Sequence, residues 1–551
     1  MPLVEGLDKA LLDKMFGNMR QEYLSFDAHY KEINENFHPR RGRFQGDKQN
    51  DGKKKHNKIY DNTPIMSRRT LQAGLMSSVT SPARPWFRLG TSDPDLAKFG
   101  AHKEWMQEVE GIMYNVFTQS NIYRTLSQVY GEIGTIGTAA MSIYQNFNKV
   151  IHTVDYTVGE YYLLNNQFGI ADTFCREFEM MVDNMVQKWK DNVSQSVKNM
   201  YDNGDGQKWV KVRHFVIPNM NKKGFGVSNK NYLEIFYEPG QDSAGFLEVR
   251  GHDDLMTLAP RWARTNTDVY GTECPGMDAL GDAKQLQQEQ LRKGEGIDKM
   301  VRPPMQAPSS LKNKTVNMLA GGVTYVDPST TGDTLTPAYL TNLPLGELKE
   351  DIREVQFRIE TAFYSDLFKM LINTDRRQIT ATEINERHEE KLVMLSPMLE
   401  NLHNELLDPI IDRVFGILLR SGVLPPPPLD LEGQEIKVEY ISPLAQAQKA
   451  IGLGAVDRLL LTAGGLAEFD PTVKNKINAY EILDETAEAL GVGNKAVRTT
   501  EEANEITAQE QQAIQAQQSA EALPQAADMA KTMSETETPE GSNLLADLTG
   551  L

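Results

Sequence analysis

Between Thr380 and Pro428 the chain carries one amphipathic run, TATEINERHEEKLVMLSPMLENLHNELLDPIIDRVFGILLRSGVLPPPP, which restricts the fold more than any other stretch. Thr380 and Glu383 have the Thr-x-x-Glu spacing in which each side chain satisfies an orphan amide at a helix start. Apolar residues then recur with helical spacing at Ile384, Leu392, Leu395, Leu399, Leu402, Leu406, Ile410, Val414 and Leu418. Gly422 and Pro425 to Pro428 end the run. Roughly forty residues rising 1.5 Å each would extend about 60 Å, twice the width of a small domain. Pro397 and Pro409 should bend or interrupt it, because proline has no amide proton and crowds the preceding turn. A strut of that length belongs in an assembly.

The 551 residues suffice for three or four domains, and 40% hydrophobic with 24% charged residues is ordinary for a soluble protein. No apolar run approaches the ~20 residues that span a bilayer, so no membrane is expected. The N-terminal MPLVEGLDKALLDKMFGNMR mixes acids and bases on an amphipathic helix and is not a secretory signal. Two cysteines, Cys175 and Cys274, make neither a disulfide framework nor a four-cysteine zinc site; they read as reduced thiols of a cytoplasmic product. A net charge of −18 argues against a tight nonspecific grip on nucleic acid, which requires lysine and arginine to displace counterions. It is compatible with letting a duplex slide past.

Residues 1–40 read as a helix, 41–58 as a basic loop, and the stretch from Thr63, with Pro64 in its first turn, as a helix ending before Pro82. Trp86 to Leu89 is a short strand, followed by helices over 101–118 and 121–134. After Gly137 the period changes to two, giving strands over 139–144, 149–156 and 160–165, a helix over 176–201, and strands over 208–217, 231–237 and 245–251. The helix over 277–300 is polar nearly all round, so it is either solvated or packed sideways against copies of itself. Residues 303–341 are rich in Pro, Gly and Thr, with short strands near 315–318 and 323–326. Another helix runs from Asn342 to about Met370; after the prolines come a strand over 435–441 and helices over 443–464 and 472–490. The last fifty residues hold no aromatic residue and read as a mobile tail or marginal helix.

Enzyme signatures are missing: there is no G-x-x-x-x-G-K-[ST] to cradle phosphates and no H-E-x-x-H for zinc. His388-Glu389-Glu390 lies on the outer side of the strut and reads as a solvated face. Asp202-Asn203-Gly204-Asp205-Gly206 lacks the alternating oxygen ligands and twelfth-position glutamate of a calcium loop, and reads as a turn before a strand. Lys53-Lys54-Lys55-His56 reads as a solvated basic loop, with phosphate contact as the alternative. The segment KMLINTDRRQ, from Lys369 to Gln378, joins two helices. Its arginines either cap carbonyls and pair with acids, or are presented toward an opening.

Several of these segments together resemble the head-to-tail connecting (portal) proteins of short-tailed bacteriophages. They are Ser67-Arg68-Arg69-Thr70-Leu71-Gln72-Ala73-Gly74-Leu75 with Ser81-Pro82-Ala83-Arg84-Pro85-Trp86-Phe87, then Gly134-Thr135-Ile136-Gly137-Thr138-Ala139. Thr380-Ala381-Thr382-Glu383-Ile384 with Arg387, Leu406-Leu407-Asp408-Pro409 and Gly422-Val423-Leu424-Pro425 continue the match, which covers roughly residues 10–490. The resemblance implies a non-enzymatic, helix-rich α+β portal fold, with no cofactor, metal or catalytic residue, assembled as a ring of usually twelve subunits at a capsid vertex of the virion. It implies a wing over 1–270, a first stem helix over 271–302, a clip over 303–341 and a second stem helix over 342–370. A channel loop over 371–379, a long kinked wing helix over 380–428, a crown over 429–499 and an acidic tail over 500–551 follow. Its implied partners are double-stranded DNA in the channel, the terminase motor, a tail adaptor, and the scaffolding and major capsid proteins. Lys369, Asn373, Asp375, Arg376, Arg377 and Gln378 are then the candidate channel-loop residues. A dozen copies would total about −216 (12 × −18), which leaves DNA few cationic partners. An internal virion or scaffolding protein, and a multidomain enzyme with its site in the β module, stay open as alternatives.

Overall fold

Period-two alternation after Gly137 becomes two antiparallel sheets, and the helices before and after them supply the cover. The computed structural model describes residues 8–44, 47, 52, 58–91, 100–241, 245–306, 312, 336–338, 344–373, 395–431, 436–441, 456, 459–466, 471–489, 503–504 and 506–514. The chain divides into a larger unit (residues 1–89, 105–427 and 436–445) and a smaller one (90–104, 428–435 and 446–551).

In the larger unit, α1 (Lys9–Phe37) starts at Asp8, whose carboxylate accepts the Ala10 amide, and buries Leu12, Phe16, Met19, Tyr23, Tyr30, Ile33 and Phe37. Then come α2 (Thr63–Ser78), β1 (Phe87–Thr91), α3 (Gly100–Gln119) and α4 (Ile122–Ile136). Gly137, at φ +81°, caps α4 in the left-handed region that glycine reaches without strain.

Strands β2 (Ala140–Asn146) and β3 (Val150–Tyr156) form a hairpin, and β4 (Tyr161–Asn165) opens a second sheet. Next come β5 (Ala171–Met181), α5 (Val182–Trp189), α6 (Gln195–Asp202), β6 (Trp209–Pro218), β7 (Tyr232–Tyr237), β8 (Glu248–His252) and β9 (Thr257–Leu258). One sheet runs β3-β2-β9 and the other is a five-stranded meander, β4-β5-β6-β7-β8. Alternation shows on the meander directly. Phe215, Leu233, Ile235 and Tyr237 meet α1 through Leu12, Phe16 and Met19. Val212 and Phe236 face the other way, onto Val182, Met185, Trp189 and Val197 of α5 and α6.

The helix expected over 176–201 is corrected here. Residues 171–181 form the interior strand β5, paired with β4 on one side and along Phe174–Met181 with β6 on the other. Two neighbouring strands satisfy its amides, and such partners are invisible to local periodicity. The helical part begins only at Val182 and breaks at Lys190 (φ +47°) before α6. The segment Asp202 to Gly206 is a turn, with Gly204 at φ +79° and Lys208 paired to Asp205.

The short helix α7 (Pro275–Asp278) leads into α8 (Leu280–Val301), and β10 (Met305–Gln306) pairs antiparallel with β11 (Thr336–Pro337). That pair closes the base of the Pro/Gly-rich excursion. The strands expected at 315–318 and 323–326 lie outside the described residues, as do the Thr380 capping box, His388 to Glu390 and Lys53 to His56.

The single helix expected from Asn342 to Met370 is two: α9 (Leu345–Ala362) and α10 (Ser365–Asn373), separated at Tyr364, whose φ is +52°. The break lets the Phe363 ring pack, tilted, against Phe37 while Phe368 reaches Gly74. Of the long strut, residues 395–420 are described and helical. Pro409 interrupts it in a specific way, because His403–Leu407 adopts the wider π spacing, with the Asp408 amide donating to His403 O. A π turn relieves the clash of a proline ring with the carbonyl four residues earlier. At the end, Gly422 (φ +67°) donates to Leu419 O and Val423 to Leu418 O, a Schellman closure.

The last strand, β12 (Ile436–Tyr440), pairs with β1. In the smaller unit, residues 459–466 and Ala479–Ala489 are helical. The helix expected from 472 starts later, because Pro471–Lys476 is a 3-10 turn. No described helix is long and apolar enough to cross a membrane. Cys175 and Cys274 are buried free thiols.

Candidate functional site

The region singled out by sequence is the pair α8 and α9 with the chain that follows. The amino-terminal half of α8 buries Leu280, Ala283 and Leu286, and α9 buries Ile352, Val355 and Ile359 at helical spacing. Beyond that, apolar side chains are open in the single chain: Ile297, Met300 and Val301 on α8 and Phe357 on α9. The two helices are joined by ion pairing of Arg358 with Asp282 at 3.3 Å.

Asp61, just before α2, fastens both helices. Its Oδ1 accepts the Thr63 amide at 2.8 Å and the Thr63 hydroxyl at 2.6 Å, which starts α2. Its Oδ2 accepts Nε2 of Gln290 on α8 at 2.7 Å and Nε2 of Gln356 on α9 at 2.8 Å. Gln287 completes the joint by accepting the Tyr60 and Asp61 amides and donating to Asp61 O. Burial would raise the Asp61 carboxyl, but the Thr63, Gln356 and Gln290 donors outweigh it and hold it below the ordinary value. Sequence reading missed this joint. The Asp-x-Thr step ahead of Pro64 was the available signal, but its glutamine partners sit more than 200 residues away for α8 and further still for α9.

Of the expected channel-loop residues, Lys369 lies on α10 and its Nζ meets Glu360 Oε2 of α9 at 2.9 Å, both half-exposed. Asn373 ends α10. Asp375, Arg376, Arg377 and Gln378 lie outside the described residues. Among the described residues no cluster of His, Cys, Asp and Glu could hold a metal ion.

The signature segments are packing devices. A Cβ on Gly74 would sit 2.2 Å from the Phe368 ring, and one on Gly134 would sit 2.4 Å from Leu71. Both glycines therefore let α2 approach its neighbours closely. The Tyr114 hydroxyl accepts the Trp86 and Phe87 amides at 2.9 and 2.8 Å and donates to Phe87 O at 2.7 Å, fixing the Pro-Trp-Phe corner. Glu405 of the π turn meets Arg261, which is 1% exposed: Nη2 to Oε1 at 2.5 Å and Nε to Oε2 at 3.1 Å.

These features define an α+β chain whose recognisable residues fix helix crossings. The chain belongs to the bacteriophage head to tail connecting protein family, whose model matches residues 9–497. It is 41% identical over 542 residues to the portal protein of Salmonella phage epsilon15, covering 98% of each chain. It is 40% identical over 550 residues to the probable portal protein of Bordetella phage BPP-1, covering 99% of each. A solved chain from the neck of an empty GTA particle, computed with C6 symmetry, aligns over 74% of this chain and 87% of its own at 12% identity and a TM-score of 0.32.

Proposed function

We propose that this protein is the portal of its virus, a structural ring at one capsid vertex through which double-stranded DNA enters during packaging and leaves during ejection. Likeness to two phage portal proteins along almost the whole chain carries this reading. Packing supports it: α8 is polar nearly all round, yet Ile297, Met300, Val301 and Phe357 are open, as expected of helices that find further cover in neighbouring copies. Residues 271–302 and 342–370 are proposed as the stem and 303–341 as the clip. Residues 1–270 with 380–428 form the wing, 429–499 the crown and 500–551 the tail. Twelve subunits, a terminase motor docked at the clip, a tail adaptor, and scaffolding and major capsid proteins complete the proposal. Residues 371–379 are proposed to face the channel, with Arg376 and Arg377 brushing the duplex backbone or bridging to a neighbour's acid.

Negative-stain images of the purified chain test the ring: top views are expected to show annuli with a central hole. A monodisperse monomer at high concentration, without annuli under any condition, overturns it. Replacing Arg376 and Arg377 together by Ala is expected to lower DNA packaging or retention while leaving rings intact. Unchanged packaging and retention would remove the loop's assigned role.

A further inference from the structure

Arg68 is 5% exposed, yet no carboxylate touches it among the described residues. Its Nη1 donates to Gln72 Oε1 at 2.7 Å, and its buried Nε has no hydrogen-bond partner. Buried charges are normally paired, because an isolated one forfeits its hydration. The nearby Glu132 gives its Oε1 to Arg41 and to Thr157. Arg68 lines a hollow of about 520 Å³ beside α2 and α4, together with the exposed Arg69, Gln72, Ser77, Ser81 and Ser127. No acid is in that lining. Gln72 is itself held, its Nε2 donating to Ser127 Oγ at 3.0 Å. The place is built to take the guanidinium: a Cβ on Gly131 would lie 2.9 Å from Arg68 Nη1 and 3.0 Å from Gln72 Oε1.

Two further arginines lie near Arg68: Arg69, and Arg41, which is paired with Glu132 and Asp155. Burial, with Arg69 and Arg41 adding to it, pushes Arg68 down to about 10. Burial and the arginines Arg68, Arg41 and Arg69 push His38 down to about 3.

We propose that this hollow between α2 and α4 is a binding site for a phosphate-class oxyanion. Arg68 brings a buried, incompletely paired guanidinium to the lining, Arg69 adds a second, and the hydroxyls of Ser81 and Ser127 each accept a bond and donate none among the described residues. That donor set exceeds what the two oxygens of a carboxylate need and suits the three or four oxygens of a phosphoryl group. The volume leaves room for what the phosphoryl group is attached to.

Calorimetric titration of the purified full chain with pyrophosphate, against sodium chloride of equal ionic strength, tests the site. Saturable binding is expected. Arg69→Gln, at an exposed position, should weaken it about tenfold or more, as should Arg68→Lys, which keeps the charge but loses the fork. Far-UV circular dichroism checks that each variant is folded. A second arm titrates a short oligothymidylate: pyrophosphate-competed binding assigns the site to a nucleic-acid backbone, and binding of pyrophosphate alone assigns it to a free anion. Either supports an oxyanion site. Wild-type heats equal to those of the chloride control, or Arg69→Gln binding pyrophosphate as the wild type does, overturn it.

Discussion

Replacing Glu405 by Ala isolates the energetic role of the π turn. The Arg261 guanidinium is 1% exposed and meets Glu405 through Nη2 at 2.5 Å and Nε at 3.1 Å, while its own amide donates to Oε2 at 2.9 Å. Without the carboxylate, Arg261 keeps only neutral acceptors among the described residues, chiefly the carbonyls of Gly169 at 2.9 Å and Asp268 at 3.1 Å. Leaving a buried charge without its partner typically costs about 3–5 kcal/mol. With a urea slope of about 3 kcal/mol/M, the unfolding midpoint should fall by roughly 1 M or more. Intrinsic tryptophan fluorescence, with Trp262 adjacent to Arg261 in sequence, reads the transition. A variant combining Arg261→Met with Glu405→Leu removes both charges and should recover most of the loss, because the penalty comes from the orphaned charge. A single-variant loss below about 1 kcal/mol, or a double variant as damaged as the single one, would refute this reasoning.

Gly74→Ala should cost about 1–3 kcal/mol by overpacking, since its Cβ would lie 2.2 Å from the Phe368 ring. Adding Phe368→Ala should remove the clash, and a midpoint unchanged by Gly74→Ala alone would contradict the close approach. A pH effect follows from His214, which is fully buried between strands, stacks on Phe236 and lies 3.1 Å from Glu234. Burial pushes it down to about 4, against the partial pull of Glu234. The unfolded imidazole binds its proton near the ordinary 6.5, so stability is full above that value. It falls, by up to about 3 kcal/mol, as pH drops from about 6.5 toward 4. Urea midpoints measured across that range in the wild type and His214→Gln check it: the variant's profile should be flatter, and parallel profiles would count against it.

Helical spacing was enough to place α1, α2, α4, α8 and α9, because which face is apolar is a local property of the chain. The same is true of the meander's alternation and of the stop at Gly422. The failures share a cause. Residues 171–181 became a strand because β4 and β6 flank them, and the helix breaks at Tyr364, between α9 and α10, where Phe363 and Phe368 take separate destinations. Pro409 could be read as an interruption, but the π spacing that accommodates it, and turns Glu405 onto Arg261, could not.

The candidate site divides similarly. Lys369 reads from sequence as part of a segment between helices, whereas it lies on α10, and its pairing with Glu360 of α9 emerges only in the fold. Ser67 to Leu75 was recognisable as a signature, but the reason for Gly74 is a ring nearly 300 residues later. The sequence by itself determined the family, the kinds of element and most of their buried faces, since residue type and spacing carry that information over a few turns. Only the tertiary structure decided which charges meet: Arg261 finds Glu405 144 residues away, Asp61 joins α8 to α9, and Arg68 touches no carboxylate among the described residues. Pairing energies depend on separation and desolvation in space, and neither is written in the order of residues along the chain.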